Sequence, residues 1–377
     1  MTVWDSLVGQ SHIRETLQGA VTGHGMTHAW LFTGPPGSGR SNAALAFAAA
    51  LQCVEGGCGS CEDCRTALAG SHPDVRVRRS ERVIISVDLA REWVREAALM
   101  PVRGRWQAII VEDADRLHER ANNALLKAIE EPTPRTVWIL CAPQVDDVLP
   151  TIRSRTRNII LGTPRAEDVA DFLVQRFDVS PTRAAHAARA SQGHIGRAKA
   201  LAMEEDTRGR RLEVVRLPAR LTTLGSCMTA ATNLAELATE EATADTDRLN
   251  AKEVQELEAL YGSDRKSRSA RSAKAAFSDL EKDQKARLKR RILDSVDRQL
   301  TELLSVYRDV LVLQTGAGGH LVNEEQRGEI EELARRTTPE DTLHRIDAVY
   351  EARRQMMEFN VPPLLALESM MVSLKTS

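Results

Sequence analysis

Four thiols crowd into one short stretch of the chain, Cys53-x4-Cys58-x2-Cys61-x2-Cys64, with Gly56, Gly57 and Gly59 allowing sharp turns between them. Four thiolates complete a closed tetrahedral shell, which suits a structural Zn2+ with no open position for catalysis. An iron–sulfur cluster is the rival, because Cys58-x2-Cys61-x2-Cys64 looks like part of a ferredoxin run; Leu68 stands where the fourth cysteine of that run would fall. A disulfide pair is the remaining alternative, and a reducing cytosol disfavours it. Arg65 is the one cation beside the knuckle, so it reads as a local staple or a protein-contact surface rather than a nucleic-acid finger.

A second group of residues could hold phosphate. Gly34-Pro-Pro-Gly37-Ser38-Gly39-Arg40-Ser41 follows the apolar run Ala29–Thr33 and precedes the helix-forming run Asn42–Gln52. Strand, glycine loop and helix N-terminus is the order in which main-chain N–H groups cradle a phosphate. The usual lysine is a compact charge that reaches the β- and γ-phosphates; Arg40 is a wide planar fork and replaces it poorly. Ile109-Ile110-Val111-Glu112-Asp113 ends in two carboxylates in the inverse of the order expected for a metal-holding Asp followed by a water-activating Glu. Cys141-Ala142-Pro143 closes another apolar run where a polar phosphate sensor is expected. These three departures describe an ATPase scaffold that does not turn over. A nucleotide, ATP or ADP, held without hydrolysis is compatible with the loop, and Mg2+ is left open.

Such residues need a frame. Apolar runs at 29–33, 83–87, 107–112, 136–142 and 158–161 predict strands, and amphipathic segments between them predict helices, the clearest at 121–131. That alternation implies a parallel sheet covered on both faces. After Pro164 the strand pattern ends. We expect a nucleotide-binding-like domain over 1–162, a small helical lid over 163–205 punctuated by Gly193 and Gly196, and a helical collar over 206–377. Within the last part, 236–258 holds eight acidic and two basic residues, and 264–291 holds eleven basic and four acidic. A charged insertion over about 240–290 follows, with a mobile basic segment at 262–275 that reads first as a solvated linker and second as a DNA or partner contact.

The chain has 377 residues, 51 basic and 53 acidic, for a formal net charge of -2, so any DNA contact must come from a local patch or a partner. Hydrophobic residues make up 42%, enough to bury real cores. No apolar run approaches the roughly 18 residues a membrane span needs. The opening MTVWDSLVGQ lacks the basic and apolar regions of an export signal, and a cytoplasmic location is expected.

The order of these features resembles the delta-prime family of bacterial DNA polymerase III clamp-loader subunits, within the AAA+ superfamily. The residues that carry the resemblance are WDSLVGQ at 4–10 with His12, the degenerate phosphate loop, the four cysteines followed by His72-Pro73-Asp74, IISVDLARE at 84–92, NNALLKAIEEP at 122–132, and Leu149-Pro-Thr-Ile-Arg-Ser154-Arg155. VPPLLALESMMVSL at 361–374 looks like the family's final collar helix. The resemblance implies an AAA+ domain, a lid and an all-α collar. It implies that Arg155, in a Ser-Arg-Cys triplet that here reads Ser154-Arg155-Thr156, is a finger reaching the ATP site of a neighbouring subunit. It also implies partners: tau/gamma and delta subunits, the sliding clamp, and primed DNA within the complex. The family's motor subunits carry a sensing arginine in the lid; here Gly193-His-Ile-Gly196-Arg197 places glycine in that slot and arginine one residue later, a rotation of about 100° on a helix. Two other classes compete with an accessory subunit: a slow self-contained ATPase using Arg40, Glu112 and Asp113, and a zinc-dependent DNA-binding module.

Overall fold

The computed structural model describes residues 2–80, 84–261 and 269–375. The chain divides into two compact units, Met1–Met203 and Glu204–Ser377.

The first unit begins with a 3-10 turn, Val3–Ser6, and α1 (Ser11–Val21). Then follow β1 (Ala29–Thr33), α2 (Arg40–Gln52), α3 (Glu62–Leu68), β2 (Val75–Arg78), α4 (Val87–Ala97), β3 (Gln107–Val111), α5 (Glu119–Glu130), β4 (Thr136–Ala142), α6 (Pro150–Arg153) and β5 (Arg157–Ile160). The strands form one parallel sheet in the order β2-β3-β4-β1-β5. Every residue of β1, β3 and β4 is buried, because helices cover both faces and no alternate residue meets water. Trp30 and Phe32 of β1 pack with α2, and Trp30 meets Phe47 edge-on at 5.0 Å. Ala29 and Leu31, pointing the other way, pack with Ala90, Trp93, Leu125 and Ile129 of α4 and α5. The strand order puts the ends of β1, β3 and β4 side by side, with Phe32 opposite Cys141 and Val111 opposite Leu140. In open α/β sheets that carboxyl edge is where ligands bind.

One strand differs from expectation. In place of 83–87, the second strand is Val75–Arg78 at the sheet edge. Residue 83 lies outside the described residues; Ile85 makes a single bridge to Leu117, Ser86 caps α4 with its hydroxyl, and Val87 is already helical. Ile85 is buried as part of the α4–α5 core. β2 hides from a hydropathy reading because Arg76 and Arg78 occupy alternate positions and pair with Glu96.

Three helices close this unit: α7 (Ala166–Phe177), α8 (Pro181–Ala190) and α9 (Ile195–Met203), around Val169, Leu173, Ala187, Ile195, Leu201 and Val8 from the N-terminal segment. Gly193 has φ +84 and breaks the chain before α9, but Gly196 lies within α9 and punctuates nothing.

The second unit is all helical: α10 (Glu205–Arg216), α11 (Leu224–Tyr261), α12 (Ser269–Thr315), α13 (Arg327–Arg336), α14 (Pro339–Met357) and α15 (Pro363–Leu374). Its core joins Leu234, Leu300, Tyr307, Val349, Met371 and Leu374. The described parts of the two charged runs, 236–258 and 269–291, lie in two long antiparallel helices, α11 and α12, that exchange ion pairs. Arg287 forms a two-pronged contact with Glu253 at 2.7 and 2.9 Å, and Arg298 pairs with Glu241. Of the mobile segment expected at 262–275, residues 262–268 lie outside the described residues, and from Ser269 the chain is already α12.

Candidate functional site

The loop between β1 and α2 sits at the carboxyl edge of the sheet. Gly34 N–H donates to the Pro143 carbonyl at the end of β4, and Ser38 N–H closes a turn on Pro35. Gly39 takes a left-handed conformation, φ +92, as it caps α2, which suits a residue without a Cβ. Among the described residues, no main-chain bond engages the amides of Gly39, Arg40 and Ser41, so the helix N-terminus retains donors for an anion. The Ser38 hydroxyl is buried and has no hydrogen-bond partner among the described residues.

Two further contacts shape the loop. Arg40 opens α2, yet its Nη1 turns back to donate to the Gly34 carbonyl at 2.8 Å, so its charge is partly spent within its own loop. The segment entering α9 also lies on the loop: a Cβ added at Gly37 would stand 2.2 Å from His194 Cγ and 2.5 Å from His194 Cα, and Ile195 N–H donates to the Gly37 carbonyl at 3.3 Å. Arg197 is half-buried two residues on, its amide donating to His194 Nδ1 at 3.2 Å.

The carboxylates beyond β3 are separated by a sharp turn. Glu112 lies 3.7 Å from Arg79, while Asp113 adopts φ +54 and starts a short 3-10 turn. Asp115, which no sequence motif singles out, is the carboxylate whose protonation is displaced upward, first by burial and then by Asp113. The Cys141 thiol is pushed up to about 12, chiefly by burial, with Glu112 and Asp113 adding to the shift and Arg40 opposing it. Glu112, Asp113, Arg40 and Cys141 thus share one electrostatic neighbourhood.

The four cysteines converge elsewhere in the same unit. All four Sγ atoms lie within 4.8 Å of one another. Zn–S bonds of about 2.3 Å set the sulfurs about 3.8 Å apart in a tetrahedron; Cys53 and Cys58 are 3.6 Å apart, and Cys53 and Cys61 3.8 Å. Main-chain N–H groups point at the sulfurs, Cys58 to Cys53 at 3.4 Å, Cys61 to Cys58 at 3.3 Å and Cys64 to Cys61 at 3.4 Å, an arrangement that favours thiolates. The Ser60 hydroxyl, aided by the Cys61 and Ser60 amides, draws Cys58 down to about 6, whereas burial raises Cys61 and Cys64. The donor set therefore fits a tetrahedral metal ion. The knuckle is tied inward by Trp4 Nε1 to the Gly56 carbonyl at 3.0 Å and by Val3 N–H to the Gly57 carbonyl at 3.1 Å.

His72-Pro73-Asp74 secures the knuckle to the sheet. Asp74, fully buried, accepts from the amides of Val102, Arg103 and Gly104 at 2.6, 2.8 and 2.5 Å, and Arg103 pairs with Glu62 on α3. Burial alone would raise the Asp74 carboxyl; the three amides outweigh it and hold it below the usual range.

Arg155 belongs to neither group. It lies in the turn between α6 and β5, half exposed, where its Nε pairs with Glu130 and its Nη1 donates to the Thr151 carbonyl at 2.8 Å and Ser154 Oγ at 3.1 Å. Nothing in the local sequence pattern singles out Glu130 or His194 as neighbours of these sites; a list of acidic and imidazole groups in the quoted motifs is the most it offers.

A five-stranded parallel sheet covered by helices, a glycine loop at its carboxyl edge and a four-cysteine knuckle define an α/β domain, followed in the chain by a helical unit. A family model described as DNA polymerase III, delta subunit, matches residues 9–164, and another described as DNA polymerase III, delta subunit, C terminal, matches residues 282–376. The chain is thus similar to DNA polymerase III subunits over most of its first unit and the last part of its second. It is 28% identical over 211 residues to DNA polymerase III subunit delta' of Bacillus subtilis, covering 55% of this chain and 64% of that one. It is 34% identical over 163 residues to subunit delta' of Pseudomonas aeruginosa, covering 42% and 50%. It is 34% identical over 157 residues to subunit gamma/tau of Mycobacterium tuberculosis, covering 40% and 27%. The matches thus span between 27% and 64% of the length of these curated relatives. No helix among the described residues is long and apolar enough to cross a membrane.

Proposed function

We propose that this chain is a non-hydrolysing subunit of a clamp loader. It assembles with tau/gamma-type and delta-type subunits and helps them place a sliding clamp on primed DNA in the cytoplasm. The relatives' names support the assembly. The observation that carries the absence of turnover is the Arg40–Gly34 contact: a guanidinium satisfied within its own loop is a poor source of charge for a leaving phosphate. The His194 segment against Gly37 adds to this. ATP or ADP at the Gly39–Ser41 amides is held as a structural ligand without turnover; Gly34, Gly37 and Ser38 shape that cradle, and Glu112 and Asp113 lack the order needed for metal-assisted attack by water.

The catalytic contribution of the chain is Arg155, which stabilises charge on the phosphoryl group transferred in a neighbouring subunit. A guanidinium suits that task because it keeps its proton and presents several donors in one plane. Zn2+ held by Cys53, Cys58, Cys61 and Cys64 cross-links the segment between α2 and α3 and takes no part in chemistry.

Phosphate release from the pure chain and from the reconstituted complex tests the reading. The isolated chain releases essentially none. In the complex, Arg155→Ala leaves assembly intact by size-exclusion chromatography and lowers turnover at the adjoining site by about 10³-fold or more, the range for arginine fingers. Brisk hydrolysis by the isolated chain that Arg40→Ala abolishes would overturn it.

A further inference from the structure

Arg155 is restrained at two of its three guanidinium nitrogens. Glu130 takes Nε, and the Thr151 carbonyl and Ser154 hydroxyl take Nη1. No hydrogen bond uses Nη2 among the described residues. The Nε–H and Nη1 lie on opposite edges of the planar fork, Nη1 being cis to Cδ, so contacts at both fix the plane of the guanidinium and leave donors at its outer end.

Fold stability does not explain why an acid stands at 130. The side chains of Arg155 and Glu130 are 41% and 43% exposed, and ion pairs at that exposure contribute little. Glu130 is also the last residue of α5, followed by Glu131 as the cap, and the helix dipole disfavours carboxylates there. The placement becomes intelligible if the object is the geometry of the guanidinium. Thr151 and Ser154 belong to the same turn as Arg155 and move with it; Glu130 comes from a different element, packed on the sheet through Leu125 and Ile129. It is the contact that refers the arginine to the rigid part of the domain.

We propose that Glu130 is a positioning residue for Arg155, holding the guanidinium plane so that its remaining donors meet the terminal phosphate of a nucleotide bound to an adjacent subunit. The proposal rests on Arg155 acting in trans. Five N–H donors allow the arginine to keep Glu130 and donate to a phosphate oxygen at once, so no contact need break on assembly. A misplaced group of this kind weakens the transition state more than the ground state, and the loss falls on kcat.

The test is steady-state ATPase of the reconstituted complex on primed DNA, with Glu130→Ala, Glu130→Gln and Glu130→Asp made in the native chain and in Arg155→Ala. We expect Glu130→Ala to lower kcat about tenfold with KM for ATP unchanged, the Gln and Asp variants to retain part of the rate, and none of the three to change the rate further once Arg155 is alanine. An unchanged kcat in Glu130→Ala, or an equal fractional loss in both backgrounds, overturns the positioning role while Arg155 keeps its own. If Arg155→Ala alone has no effect, the trans reading fails and this inference fails with it.

Discussion

The substitution Asp74→Asn tests how the knuckle is anchored to the sheet. The carboxylate is fully buried and accepts three main-chain bonds from 102–104, each at 2.8 Å or less. A hydrogen bond to a charged acceptor contributes about 1.5–3 kcal/mol. Val102 and Arg103 are exposed, so water can replace the acceptor for their amides; Gly104 is less accessible. Counting one bond in full and two as fractions gives a loss of about 2–4 kcal/mol at neutral pH. The asparagine side chain would add to this by turning an amino group toward amide donors. The pH dependence follows from the direction of the shift. Asp74 ionises more readily folded than unfolded, so its stabilisation is fully present above the unfolded value of about 3.9 and disappears as pH falls through the folded one. Asparagine has no such dependence, and the gap between the two proteins should be widest at pH 7 and close progressively below about pH 4. Urea unfolding followed by tryptophan fluorescence is suited to the measurement, because Trp4, Trp30, Trp93, Trp106 and Trp138 all lie in the first unit. A gap below about 0.5 kcal/mol at pH 7, or one that stays constant with pH, would refute the reasoning.

Two further perturbations probe the other features of the first unit. The purified chain should contain about one zinc, and stripping it with a strong chelator or by Cys58→Ser should lower the first unit's unfolding temperature by at least about 5 °C and alter Trp4 emission as its bond to Gly56 is lost; an unchanged transition would argue that the cysteines carry no structural metal. Gly37→Ala forces a Cβ into the His194 main chain at a residue with φ +85, and should cost about 2 kcal/mol or more. Thermal unfolding measures it, and a neutral result would mean that α9 does not rest on the loop.

Legibility in the sequence followed how local each physical cause is. β1, β3 and β4 announce themselves because burial on both faces demands unbroken apolar runs. β2 does not, since an edge strand can carry Arg76 and Arg78 when Glu96 waits on α4; and Ile85 looks strand-like because a helix entry packed on a core is apolar for another reason. The cysteines are legible because twelve residues contain the whole ligand set and its turns. The charged runs are legible as blocks, but their meaning is mutual: Glu253 and Arg287 are 34 positions apart, and only the antiparallel hairpin reveals each as the other's partner. The same holds at the sites. Arg40, Glu112, Asp113 and Cys141 each depart from a working ATPase as single letters, whereas the turn of Arg40 onto Gly34, the approach of His194 to Gly37 and the reach of Glu130 to Arg155 are contacts between elements. A pattern of residue types can therefore show that a phosphate loop has lost its lysine. Where the replacement's charge goes, and which groups fix Arg155, depends on contacts that only the folded chain brings within reach.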